Sequence, residues 1–113
     1  MKPRLYLAGP MTGYPEWNFP AFNAAAAALR DAGYEVVNPA EINGPDAVAS
    51  GKTWEDCMRA DIRELCTCQG DALLPGWDKS RGASLEVHIA EALGMSVRRA
   101  IEWYAYARGE VPA

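Results

Sequence analysis

The chain has 113 residues, enough for one hydrophobic core but not for two. Half of the residues are apolar and 23% are charged, an ordinary balance for a soluble globular domain. A formal net charge of −4 argues against a general binder of nucleic-acid backbones, and no apolar run approaches the ~20 residues of a membrane span.

These totals predict a single domain over residues 1–113. No signal-peptide pattern opens the chain, which points to the cytoplasm. Cys57, Cys66 and Cys68 form an odd set without framework spacing, so they read as free thiols. A zinc site needs four ligands and His88 is the sole histidine, so a metal site is not expected.

In chain order, Leu5 to Ala8 reads as a buried first strand, ended by Gly9-Pro10. The turn-rich stretch from Gly9 to Phe19 is longer than a usual strand-to-helix loop, which marks it as a binding loop. A helix is predicted from about Pro20 to Ala32, with Gly33 as its stop. Tyr34 to Asn38 is the second strand, and Asn38 to Lys52, with two prolines and two glycines, reads as loop. Thr53 and Asp56 resemble a capping box that opens a helix to about Cys66. Asp71 to Leu74 is a third strand, broken at Pro75-Gly76 and followed by a helix from about Ala83 to Leu93. Met95 to Arg99 and Ala100 to Arg108 read as a fourth strand and a terminal helix. The aromatic cluster Trp103, Tyr104 and Tyr106 suits either packing or a subunit interface.

Strands alternating with helices predict an α/β fold, a Rossmann/flavodoxin-like three-layer sandwich on a short parallel sheet of four or five strands. Ligands of such sheets sit beyond the carboxyl ends of the strands. The loops starting at Gly9, Asn38 and Pro75 leave those ends and are the candidate pocket.

Two acids stand out. On the last long helix Leu85, Ile89, Ala92 and Leu93 mark an apolar stripe, and Glu86 projects on the same side while His88 and Glu91 fall away. A carboxylate on an apolar face is costly unless something uses or pairs it, and a first-turn position favours its ionised form. The bland alternative is a Glu at the stripe's edge that reaches water. On the preceding helix Trp54, Met58, Ile62 and Leu65 share a face, and Asp61 lies within it. An ion pair with Arg4 or Arg81 is the structural alternative for Asp61. Two inward acids from different helices can divide the roles of acid and nucleophile. Tyr6 would place its hydroxyl near the pocket rim. Lys79, Ser80, Arg81 and Gly82 offer donors beside a helix start, suited to a phosphate or carboxylate. Trp17 and Phe19 can stack on a base or close the core.

Tyr6-Leu-Ala-Gly-Pro10, Arg59-Ala-Asp61-Ile62 and Ser80-Arg-Gly82 ahead of Leu85-Glu86 resemble the nucleoside 2-deoxyribosyltransferase superfamily, which includes the 2′-deoxynucleoside 5′-phosphate N-hydrolases. The likeness runs from about Leu5 to Gly94 and is strongest to small members with Gly9 to Gly13 and Asn18 to Pro20 patterns. It implies that Glu86 is the nucleophile at C1′ of a (deoxy)ribose. It makes Asp61 the acid that assists the leaving base and orients the nucleophile, and Tyr6 the donor to the nucleophilic carboxylate. Ser80, six residues before Glu86, matches a phosphate-contacting serine, and Gly82 the glycine of the same turn. The expected substrate contacts are Gly9, Pro10, Met11, Gly13 and Phe19 from the first loop, and Trp77, Ser80, Arg81 and Gly82 from the third. The hydrolases' arginine after the first strand is replaced here by Pro10 to Gly13, which Arg81 could compensate.

The expected activity is therefore hydrolysis of the N-glycosidic bond of a nucleoside or nucleoside 5′-monophosphate through a glycosyl-Glu intermediate, without a cofactor. Base exchange by a transferase, or a nucleotide-binding module without turnover, are the alternatives. The resemblance also implies a homo-oligomer.

Overall fold

The computed structural model describes residues 2–44 and 50–110. Strands β1 (Arg4–Ala8), β2 (Glu35–Val37), β3 (Gly70–Leu73) and β4 (Ser96–Arg99) form one sheet in the order β2-β1-β3-β4. All of its pairings are parallel, with Tyr6 opposite Val37 and Asp71, and Asp71 opposite Val97. The chain steps outward from β1 to β2, then returns past β1 to build β3 and β4. The reversal falls between β1 and β3, and there the loops leaving the two strands part and open a crevice.

Helices cover both faces, as a parallel sheet requires. On one face α1 (Phe19–Asp31) and α5 (Ala100–Ala107) bury Phe22, Ala26, Leu29 and Trp103 against Leu5, Leu7 and Ala72. On the other, α3 (Trp54–Leu65) and α4 (Arg81–Ala92) bury Leu65, Ala83, Val87 and Ala90 against Tyr6, Ala8 and Leu73. The period-2 alternation of each strand thus divides its side chains between two cores. The three-layer α/β sandwich expected from the alternating pattern is the fold observed, with four strands.

The capping box is present: the Thr53 hydroxyl accepts from Asp56 N at 3.0 Å, and the Asp56 carboxylate accepts from Thr53 N at 3.0 Å. Two boundaries differ from expectation. Pro39–Asn43, read as loop, forms a short helix α2, because Asn38 Oδ1 accepts from Ala40 N at 3.0 Å and Pro39 occupies the first turn. Residues 45–49 of that expected loop lie outside the described residues. Helix α4 starts at Arg81 rather than Ala83, since Ser80 Oγ accepts from Ala83 N at 3.2 Å and caps it.

Trp103 belongs to the core rather than to a free docking surface. Its indole N–H donates to Asp71 O at 3.0 Å, and its ring stands edge-on to Tyr34 with centroids 5.9 Å apart. The Tyr34 hydroxyl returns a bond of 2.6 Å to Trp103 O. Among the described residues no helix is long and apolar enough to cross a membrane.

The close seating of α5 depends on Gly70, where an added Cβ would lie 2.7 Å from Leu5 Cδ2 and 2.8 Å from Trp103 Cζ2. Neither fully packed neighbour can withdraw freely, so Gly70→Ala should cost about 1–3 kcal/mol of stability by urea denaturation.

Candidate active site

A cavity of about 730 Å³ opens where β1 and β3 diverge, a size suited to a small molecule. Loop 9–19, the 76–82 segment and the first half of α3 wall it, and Asp61 and Glu86 both line it. Gly9 marks the divergence: a Cβ there would come within 2.9 Å of Leu74 Cβ, so only glycine lets the strand ends approach this closely.

Glu86 reaches the cavity from an unexpected face of α4. The buried positions of this helix are Ala83, Glu86, Val87 and Ala90, whereas Leu85 and Leu93 are 39% and 58% exposed. The stripe of Leu85, Ile89, Ala92 and Leu93 is therefore not the packed face; only Ile89 of the four is even half-buried. The reason is steric. Alanines bring the helix axis close to the sheet, and that puts Glu86 at the centre of the contact rather than at its edge. It does not reach out to water. It is 5% exposed, and its Oε2 accepts a 2.7 Å hydrogen bond from the Tyr6 hydroxyl.

Tyr6 has no exposed surface and does not line the cavity; it supports Glu86 from beneath the floor instead of standing at the rim. Asp61, also buried, is paired with neither arginine considered for it. Asn43 Nδ2 donates to Asp61 Oδ1 at 2.9 Å. Arg4 is engaged with Thr67 and Glu35, and Arg81 lies over the Trp54 ring, 3.8 Å from its centroid. Among the described residues no ion pair involves Asp61, Asp71 or Glu86.

The electrostatics follow from this dryness. Burial pushes the Asp61 carboxyl up to about 6, against the opposing pull of the Asn43 amide and Lys52. Burial also lifts Glu86 well above the usual carboxylate range, with Tyr6 opposing through its hydrogen bond and Asp61 and Asp71 adding to the rise. A first-turn position alone would favour an ionised Glu86; desolvation outweighs the helix dipole, whose effect is about 0.3–1 kcal/mol. The Tyr6 hydroxyl is raised well above its ordinary value, first by burial and then by Glu86. Asp61 and Glu86 are thus both biased toward their protonated forms at a pH where free carboxyls have lost the proton.

Of the remaining expected contacts, Gly9, Pro10, Met11, Phe19, Ser80, Arg81 and Gly82 line the cavity, and Gly13 and Trp77 do not. Gly13 is an exposed turn residue at φ 85°, and Trp77 packs against the Tyr6 core below. Ser80 lines the cavity and caps α4 through its hydroxyl. Trp17 and Tyr14, both over 40% exposed, join Phe19 as an aromatic wall. Glu16, Trp17 and Asn18 in succession hold left-handed φ values of 53°, 55° and 60°, at on the order of 1–2 kcal/mol each. Asn18 Nδ2 fastens this stretch to Pro10 O at 2.9 Å. Lys52, Lys79 and Arg81 place cations at the exposed margin. Among the described residues no group of three or more His, Cys, Asp or Glu is placed to hold a metal ion.

Sequence reasoning passed over Asn43, Lys52 and Trp54 as site residues, and Asp71 beneath the floor. The signal for Asn43 was present in Asn38-Pro39, a cap followed by a first-turn proline.

Fold and pocket together define a class: α/β proteins of flavodoxin-like strand order with a two-acid pocket at the switch point of a parallel sheet. The chain belongs to the family described as a domain of unknown function, DUF4406, whose profile matches residues 3–99. No curated protein matches the chain.

Two predictions follow from the dry layer around Tyr6. Tyr6→Phe removes a donor to Glu86, so the Glu86 carboxyl should titrate at higher pH in ¹³C NMR, with a stability loss of about 1–3 kcal/mol for the orphaned acceptor. Asp71 has no exposed surface, and burial raises its carboxyl to about 7, above the ~3.9 of an unfolded chain. The folded state therefore holds the extra proton, and stability is lost as pH rises from about 4 through 7. Urea titrations of wild type and Asp71→Asn should diverge in the variant's favour by on the order of 4 kcal/mol between pH 4 and 8.

Proposed function

We propose that the pocket cleaves the N-glycosidic bond of a nucleoside or nucleoside 5′-monophosphate. Glu86 Oε attacks C1′, the C1′–N bond breaks, and its electron pair leaves with the base, which takes a proton from Asp61 or solvent. Water then adds at C1′, the ester C–O bond breaks, and Glu86 leaves as carboxylate while the water's second proton passes to Asp61. This is the two-step logic of retaining glycosidases with a base as leaving group.

The observation that carries this reading is the 2.7 Å bond from Tyr6 to Glu86 within a cavity that Asp61 also lines. The Tyr6–Glu86 contact is the one that the resemblance to the nucleoside 2-deoxyribosyltransferase superfamily implies, while Asp61 is bonded to Asn43 rather than to Glu86. Support also comes from the aromatic wall, which suits a base, and from the cations at the margin, which suit a 5′-phosphate. The same reading carries a cytoplasmic setting, consistent with the free thiols, and a homo-oligomeric assembly.

A second reading is a nucleotide-binding module without turnover. One observation favours it: burial holds Glu86 toward its neutral, non-nucleophilic form. Base exchange by a transferase differs from hydrolysis in the acceptor alone.

Incubation with a panel of nucleosides and 5′-monophosphates, followed by chromatography of free base, is the test. Base should be released by wild type and not by a folded Glu86→Gln variant, and Asp61→Asn should slow release by ~10²-fold or more. Added free base that is incorporated into a new nucleoside would identify the transferase. Tight nucleotide binding with no base released over hours would overturn the catalytic reading.

A further inference from the structure

We propose that Asp71 is a positioning residue for Glu86, acting through its charge across the dry layer beneath the pocket floor. The inference rests on the reading of Glu86 as the nucleophile.

Asp71 sits opposite Tyr6 in the parallel register, so both side chains leave the sheet on the face covered by α3 and α4. It has no exposed surface, and both its carboxyl oxygens lack a hydrogen-bond partner. A buried polar group held for packing alone is normally satisfied, so an orphaned carboxyl in an inner strand calls for another explanation. Asp71 does not line the cavity and cannot touch a ligand there.

Among the described residues, no ionisable group of the surrounding elements forms an ion pair or hydrogen bond with Asp71. From β1 come Tyr6, a neutral donor already given to Glu86, and Arg4, whose guanidinium is engaged with Thr67 and Glu35. The end of α3 and its following turn supply Asp61, half-buried Glu64 and the Cys68 thiol. Helix α4 supplies Glu86, while its His88 is exposed. On β4, Val97 stands opposite Asp71, and Arg98 stacks on Tyr106 from the other face.

Asp71 lies beside Tyr6 in the register and Glu86 is bonded to Tyr6, so the two carboxyls share one dry face and are screened from each other by protein rather than by water. A charge on Asp71 therefore makes Glu86 retain its proton, and a neutral Asp71 lets Glu86 ionise. The side chain beneath Tyr6 thus tunes the pH at which the nucleophile becomes available.

The test is ¹³C NMR titration of the side-chain carboxyls in wild type and Asp71→Asn, with Glu86→Gln to assign the Glu86 resonance. Removing the neighbouring charge should lower the Glu86 midpoint by about half a unit or more, a threefold or greater rise in ionised Glu86 below its midpoint. Where base release is measurable, the acid limb of kcat/KM should move to lower pH by the same amount. A Glu86 curve that superimposes on wild type overturns the proposal. Should the variant fail to fold, Asp71→Ser, which also removes the charge, is titrated in its place, and a Glu86 curve that superimposes on wild type there overturns the proposal. A shifted midpoint in a protein that releases no base would leave the electrostatic link standing and remove the hydrolase reading.

Discussion

The hydrogen bond from Tyr6 to Glu86 joins the central strand of the sheet to the helix that covers it, and the site is arranged around that join. Each partner needs the other. A tyrosine with no exposed surface must find an acceptor for its hydroxyl, and a glutamate at the centre of a helix-sheet contact must find a donor. Ala83 and Ala90 make the join possible by letting α4 lie close to the strands. Larger side chains there would lift the helix and separate the pair.

This constraint fixes the character of the pocket. Carboxyls from α3 and α4 reach it without an ion-pair partner among the described residues, while Lys52, Lys79 and Arg81 lie at the exposed margin. The interior is thus biased toward retained protons and the mouth toward anions. The left-handed stretch at Glu16, Trp17 and Asn18 follows the same logic of local cost at a working surface. It sets Trp17 at the cavity edge, and a side-chain bond from Asn18 to Pro10 O fastens it there. The stability lost in such places is supplied by the two apolar layers on either side of the sheet.

How much of this was legible before the coordinates depended on the range of the interaction. The strands, the long helices and the Thr53–Asp56 cap arise from neighbours within a few residues, so periodicity and capping chemistry expose them. The short helix at Pro39–Asn43 was hidden by its prolines and glycines even though Asn38 announces it. Hydrophobicity favours Leu85 and Leu93 as the packed face of α4, whereas the sheet selects the alanines. Trp77 was drawn into the site by its place in the chain, and packing turned it downward into the Tyr6 core.

From the sequence alone came the α/β alternation, the loops that carry the pocket, and two acids on faces where acids are costly. Those are properties of short-range pattern, and a single chain carries them in plain form. Only the tertiary structure decided that Tyr6 bonds Glu86 across eighty residues of chain, that Asn43 rather than an arginine holds Asp61, and that Asp71 lies unpaired beneath them. Such partnerships depend on strand order and on the height of a helix above a sheet, and no local pattern encodes either.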